Sequence, residues 1–256
     1  MIDLNHIDKN VLLHCGGRCG SYRLADLLLM NNHDLCIDIP ECNTPTFEYH
    51  FVQRWINKKH IMVEDLKNLN KSGKHWLIKS GCTHNIIEIL TSSFDFQEIG
   101  LVRLDLTSTV LSFVISALTS KYHLTGNSPP ENLEDSILNF CKLNQDSIGT
   151  IVDLCSSRAL MYADNTITLW HLKDCKFPLV TYEQITSNPE MFFQKTDTTT
   201  TFTSSEIFSE EVTRWKTPVY ENLNSLLIPI IKKKTKPVFV EKLNLMTKDC
   251  DWKFFV

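Results

Sequence analysis

Glycine is scarce in this sequence, with 8 residues in 256, yet three of them fall within five positions at Gly16, Gly17 and Gly20. Lysine is missing from the whole stretch between His14 and Asn32. A Gly-x4-Gly-Lys-Ser/Thr loop, with its Mg²⁺ and γ-phosphate chemistry, therefore has no support there. A long hydrophobic run is also missing: the longest, Leu101 to Leu118, is interrupted by Arg103, Asp105 and several Ser and Thr residues. It is unfit to span a bilayer. The opening Met1–His6 has neither the basic start nor the apolar core of a secretory leader. Nor is there a surplus of positive charge. A net charge of -4 gives no basis for a broad nucleic-acid surface, so an anionic ligand needs locally placed cations. These absences lead to the expectation of a soluble, cytoplasmic protein with no membrane or nucleic-acid partner. Its nine cysteines are then expected as reduced thiols. Cys15 and Cys19, or Cys36 and Cys42, are close in sequence, but no second pair at zinc-site spacing accompanies them, and no metal is expected.

Apolar content of 43% and charged content of 22% are ordinary for a globular chain. The length suits one domain, 1–256, with insertions. Val11 to Cys15 is a short apolar run ending in glycines, and Ser21 to Asn31 carries Leu24, Leu27 and Leu28 at helical spacing before Asn31-Asn32 stops it. The glycines thus occupy a strand-to-helix turn. Trp76–Lys79 and Ile99–Val102 read as further strands, followed by helical patterns through Ile86, Ile87 and Leu90, and through Val110, Val114 and Leu118. Pro178 to Tyr182 reads as a fourth strand with a helix from Glu183. A mostly helical stretch separates the first two strands, with Phe47, Phe51 and Trp55 on one face, and a helical insertion covers about 123–170. Alternation of this kind predicts an α/β fold, a central parallel β-sheet flanked by helices.

The chemistry concentrates in Gly16-Gly17-Arg18-Cys19-Gly20-Ser21. A glycine-rich turn entering a helix presents backbone N–H groups at the positive end of the helix dipole, and glycine lets the backbone approach an oxyanion. Arg18 adds a planar fork of donors and Ser21 a hydroxyl. The plain alternative is a turn that only connects a strand to a helix. A dinucleotide fingerprint would need glycine at Cys15, although Asp38 is placed for a ribose contact. A cysteine-phosphatase loop starting from His14-Cys15 would need arginine at Ser21.

Gly17-Arg18-Cys19-Gly20-Ser21-Tyr22 resembles the Pro-Arg-Ser-Gly-Ser-Thr loop of sulfotransferases that use 3′-phosphoadenosine 5′-phosphosulfate (PAPS), and is most similar to the bacterial carbohydrate type that acts on trehalose. Three further segments extend the resemblance over roughly 10–227. Val102-Arg103-Leu104-Asp105, with Ser112 downstream, looks like the element that holds the cofactor's 3′-phosphate. Thr181-Tyr182-Glu183, with Pro189, resembles Arg-Tyr-Glu-Asp-Leu, and Val212–Trp215 is similar to an Arg-Trp helix start. Gly17 stands in place of proline, Tyr22 of threonine, Leu104 of a second arginine and Thr181 of arginine. The resemblance implies a P-loop NTPase-like three-layer α/β/α fold. It also implies transfer of a sulfuryl group to a hydroxyl of a carbohydrate or small metabolite, with adenosine 3′,5′-bisphosphate (PAP) as product. Some enzymes of the resembled type are homodimers.

On that reading Gly17, Arg18, Cys19, Gly20, Ser21, Tyr22, Arg103 and Ser112 bind the cofactor, and Arg18 stabilises the charge that builds on the leaving phosphate. The general base is Glu41, by analogy with the carbohydrate type, or His84, just after Lys79-Ser80-Gly81, where the small-molecule type has Lys-Thr-His. Plainer readings stand beside these: Arg103 in an ion pair with Asp105, Cys19 as a small loop residue or a redox-sensitive thiol, Lys232–Lys234 as a solvated basic run. Two other functions remain open: a catalytically silent member that binds nucleotide or a partner, and a P-loop phosphotransferase.

Overall fold

The computed structural model of the chain describes residues 7–38, 47, 59–80, 84–103, 105–119, 133–173, 177–187 and 222–234. Its strands are β1 (Asn10–His14), β2 (Leu35–Cys36), β3 (His75–Lys79), β4 (Phe96–Val102) and β5 (Leu179–Thr181). Its helices are α1 (Ser21–Asn31), α2 (Lys59–Lys71), α3 (His84–Ser93), α4 (Leu106–Thr119), α5 (Leu133–Leu143), α6 (Gln145–Leu172), α7 (Tyr182–Ser187) and α8 (222–234). All five strands pair in parallel in the order β2-β3-β1-β4-β5. The fold is α/β, a sheet flanked by helices consistent with three α/β/α layers. No described helix is long and apolar enough to cross a membrane.

The described residues fall into two compact units. One holds those up to Arg103 and from Tyr162 to Ser187; the other holds 105–161 and 222–234. The first contains the sheet. Central β1 is buried along its whole length, as expected of a parallel strand covered on both faces, which therefore reads as a continuous apolar run. Leu12 pairs with Ile78 on one side and lies level with Glu98 on the other. Val11, Leu12, Leu13, Leu77, Ile78 and Ile99 are fully buried, each contributing roughly 1.5–3 kcal/mol of transfer free energy. Asn10 ties the start of β1 to β3 by accepting a hydrogen bond from the Trp76 amide at 2.8 Å.

Helix α1 starts and ends where the sequence places it. Leu24, Ala25, Leu27 and Leu28 are buried, and at its end Asn31 and Asn32 donate side-chain amides to the Leu27 and Leu28 carbonyls, at 3.1 and 2.9 Å. Helix α7 begins at Tyr182 because Thr181 and Gln184 form a capping box. The Gln184 amide donates to Thr181 Oγ1 at 3.1 Å and the Thr181 amide to Gln184 Oε1 at 2.9 Å. Strand β2 is a two-residue addition to the mostly helical stretch expected between the first two strands. Its two residues pair with His75 and Trp76, too short a segment to show any period.

The second unit is helical among the described residues. Leu223, Leu227 and Ile231 recur at helical spacing and are buried, as are Val110, Val114, Ile137, Cys141, Ile148 and Val152. Asp105 caps α4, accepting from the Ser108 amide at 3.0 Å and from the Ser108 hydroxyl.

Candidate functional site

Strand order picks out where a ligand would sit. From β1 the chain crosses past β3 to reach β2, whereas from β4 it leaves in the other direction for β5. Neighbouring strands whose C-terminal connections diverge mark the binding end of an open parallel sheet. The loop 15–20 leaves the carboxyl end of β1 and Arg103 leaves that of β4, so both belong to this end of the first unit.

Two residues of the loop adopt left-handed backbone, Arg18 at φ 64° and Gly20 at φ 86°. For arginine that conformation costs on the order of 1 kcal/mol, and turns of this kind swing successive N–H groups to one side. Gly20 is also the N-cap of α1. It offers no side-chain cap, and the first turn carries no acidic residue. The first amides of α1 thus meet no side-chain acceptor from the cap, at the end of the helix that favours an anion. A side chain cannot replace the glycine: a Cβ at position 20 would lie 2.2 Å from the Tyr182 ring, and one at position 16 would lie 2.2 Å from Tyr162 Cβ. The Cys19 thiol donates to the Gly16 carbonyl at 3.0 Å and closes the turn from inside.

Around this backbone stand Arg18, Lys79 and Arg103. The Arg103 guanidinium lies over the Tyr182 ring, 4.4 Å from its centroid, a cation–π arrangement. Its Nη1 makes a long contact of 3.4 Å with the Arg18 carbonyl. Arg103 Nε is buried and finds no hydrogen-bond partner among the described residues. Lys79, buried at the end of β3, is registered against Leu13. Cys19 senses this charge. A hydrogen bond with Cys15 holds its thiol below the ordinary range, burial opposes that, and the charges of Lys79 and Arg103 lower it further. An oxyanion at the loop would feel the same positive field.

Below the loop, at the last residue of β1, the environment is different. His14 is fully buried, with Nε2 2.6 Å from a Glu98 oxygen and Nδ1 3.1 Å from the Ser80 hydroxyl. The carboxylate requires the proton on Nε2, which leaves Nδ1 to accept from Ser80. Glu98 also takes Lys173, at 2.6 Å. Burial pushes His14 below its ordinary value, outweighing Glu98. Burial would raise the Glu98 carboxyl, but the hydrogen bonds from His14 and Lys173 hold it below its ordinary value.

The first unit therefore brings together Gly17, Arg18, Cys19, Gly20, Ser21 and Arg103. Ser21 is buried as the first residue of α1. Tyr22 is 38% exposed and packs its ring on Phe47, 4.9 Å between centroids; Phe47 itself is buried. Ser112 is buried on α4, in the second unit. His84 is the first residue of α3, and its side chain is not among those described. Glu41, Phe51, Trp55, Leu104, Pro189 and the Arg214-Trp215 pair lie outside the described residues. Lys232–Lys234 are exposed on α8, where Lys234 pairs with Asp153 at 2.5 Å.

Sequence reasoning did not assign Lys79, Tyr162 or the Ser80–His14–Glu98 chain to the site. Lys79 carries a usable signal, a lysine closing an apolar strand, since buried lysines are rare without a reason. No family model, curated protein or solved structure matches this chain.

Proposed function

We propose that the loop 15–21 binds the phosphosulfate end of PAPS and that the protein, a cytoplasmic enzyme, transfers the sulfuryl group to a hydroxyl of a carbohydrate or small metabolite. One observation carries the reading. Arg18, Lys79 and Arg103 surround the uncapped N-terminus of α1 at the switch point of the sheet, and Arg103 Nε is buried with no partner among the described residues. An anion with several acceptor oxygens supplies the partner that Arg103 Nε lacks among the described residues.

In the transfer an acceptor oxygen attacks sulfur in line, the bond from sulfur to the 5′-phosphate oxygen breaks, and the acceptor proton leaves to a base, Glu41 or His84. Negative charge builds on the departing phosphate. Arg18, the amides of residues 19–21 and the Ser21 hydroxyl stabilise it, while Arg103 holds the 3′-phosphate. A second reading, nucleotide binding without transfer, is favoured by Tyr22, whose ring is committed to Phe47.

Calorimetric titration with PAP, beside ATP–Mg²⁺, tests the first step. Binding of PAP that disappears in Arg18→Ala and weakens in Arg103→Ala is the expected result; preference for ATP–Mg²⁺, or no binding of either, overturns the assignment. Sulfuryl transfer across a panel of sugars and small hydroxyl compounds then separates the enzyme from the silent binder.

A further inference from the structure

Cys15 and Cys19 stand at the two ends of the loop, four positions apart. Both are reduced cysteines, outside any disulfide and buried in the first unit. Cys19 Sγ lies 3.0 Å from the carbonyl oxygen of Gly16, the residue next to Cys15, and the Cys15 side chain hydrogen-bonds Cys19, so the two thiols share the inside of the turn. The residues between them are two glycines, Gly16 and Gly17, and the half-buried Arg18, which is held in left-handed backbone. Both residues are buried, Cys19 at 6% exposure and Cys15 at 0%, so Cys19 lies nearer solvent and takes the attacking role of a thiol switch, and Cys15 the resolving one.

We infer that Cys15 and Cys19 form a redox pair that closes to a disulfide under a peroxide-class oxidant and thereby switches the anion loop off. The Cys19 sulfur attacks one peroxide oxygen and the O–O bond breaks. Hydroxide leaves and takes a proton to become water, with Cys19 left as sulfenic acid. The Cys15 sulfur then attacks the Cys19 sulfur, the S–O bond breaks, and the departing oxygen leaves as water with the Cys15 proton. The two thiols lose two electrons, and one peroxide is reduced to two waters. Closing the bond draws Cys19 Sγ away from the Gly16 carbonyl, the contact that shapes the turn. The amides at the start of α1 lose their common aim.

Anion and oxidant also compete. Lys79 and Arg103 hold Cys19 toward its thiolate, and an anion seated beside them removes that help. The chemistry of the pair stands apart from PAPS; only the effect on anion binding rests on the proposed function.

The experiment treats the full chain with limiting hydrogen peroxide and maps every cysteine by peptide mass spectrometry. One intramolecular Cys15–Cys19 disulfide is expected before any other change, reversed by dithiothreitol. Cys15→Ser is expected to leave Cys19 as a sulfenic acid trapped by dimedone, and Cys19→Ser to leave Cys15 unmodified. Inorganic sulfate or PAP is expected to slow the reaction, and the oxidised protein to bind PAP about tenfold more weakly, the equivalent of one charge-assisted hydrogen bond. Circular dichroism checks that each variant is folded, and the mapping in the unsubstituted chain stands even where a variant is not. Oxidation of the half-buried Cys36 or another cysteine while Cys15 and Cys19 stay reduced overturns the pair. A disulfide that forms with no PAP binding in either state leaves the pair standing and removes the PAPS reading.

Discussion

Two cations flank strand β4 and are treated in opposite ways. Lys173 reaches the Glu98 carboxylate, which also holds His14, so charge near the middle of the strand is matched. Arg103, one residue past the strand's carboxyl end, faces a ring and a backbone carbonyl, and among the described residues it has no carboxylate. A protein that only needed to hold its sheet together would treat both ends like the first. A cation kept beside aromatic surface, with a buried N–H that has no partner among the described residues, is suited to be the preorganised half of the interaction proposed above. On the proposed function, the strand's middle supplies stability and its end supplies affinity.

The contrast is open to attack from both sides. Glu98→Gln has the largest expected effect: Lys173 and the His14 network lose their carboxylate, and unfolding by denaturant is expected to show a loss of about 2–4 kcal/mol, moderated by the partial exposure of the pair. A loss under half of the lower figure would mean the matched charges are no firmer than surface pairs. Arg103→Met, which keeps the apolar stem, is expected to weaken PAP binding roughly tenfold to a hundredfold, about 1.5–3 kcal/mol, while the melting temperature holds or rises. A fall in melting temperature as large as that of Glu98→Gln would make Arg103 structural. Thr181→Ala removes half of the capping box that starts α7 and is expected to cost ~1 kcal/mol. It should also loosen Tyr182 under Arg103, so a small loss of PAP affinity accompanies it; an unchanged affinity would show that the ring is held by packing alone.

Acid probes the matched site without mutation. Both His14 and Glu98 have folded pKa values below their unfolded ones, so in acid the unfolded chain binds more protons and stability declines as pH falls. The His14 contribution fades below its unfolded value of 6.5, and the Glu98 contribution below 4.5. Melting temperature measured from pH 7 downward should begin to fall near the first value, and His14→Gln should flatten the upper part of the decline. A profile equally steep in that variant would place the titration elsewhere.

Much of this architecture is legible in the chain itself. Unbroken apolar strands and a leucine-striped α1 declare themselves because burial on two faces, or on one stripe, leaves a periodic trace. The loop is legible for the same reason that it is useful: three glycines and an arginine in six residues are unusual chemistry in a sequence so poor in glycine. Strand β2 left no trace because two residues cannot express a period. Lys79 was passed over because it sits outside the glycine-rich motif and reaches the loop only through the register of β3 on β1. Tyr162 is a residue of a long helix in the sequence, and only folding brings it against Gly16. The network of Ser80, His14 and Glu98 joins the ends of β1 and β3 to the middle of β4 across up to 84 positions, beyond the reach of any local pattern.

Gly16 with Tyr162 and Gly20 with Tyr182 have a consequence for how this loop can change over generations. Each pair shares one fixed volume, all of it on the aromatic partner. A side chain at 16 meets the Tyr162 Cβ itself, so only glycine at 162 makes room for it, and at position 20 the left-handed backbone blocks even that exchange. Homologous chains should therefore hold 20 constant, whatever happens at 182, and release 16 only where 162 is glycine. The loop's inheritance is written as much in the two tyrosines as in its own residues.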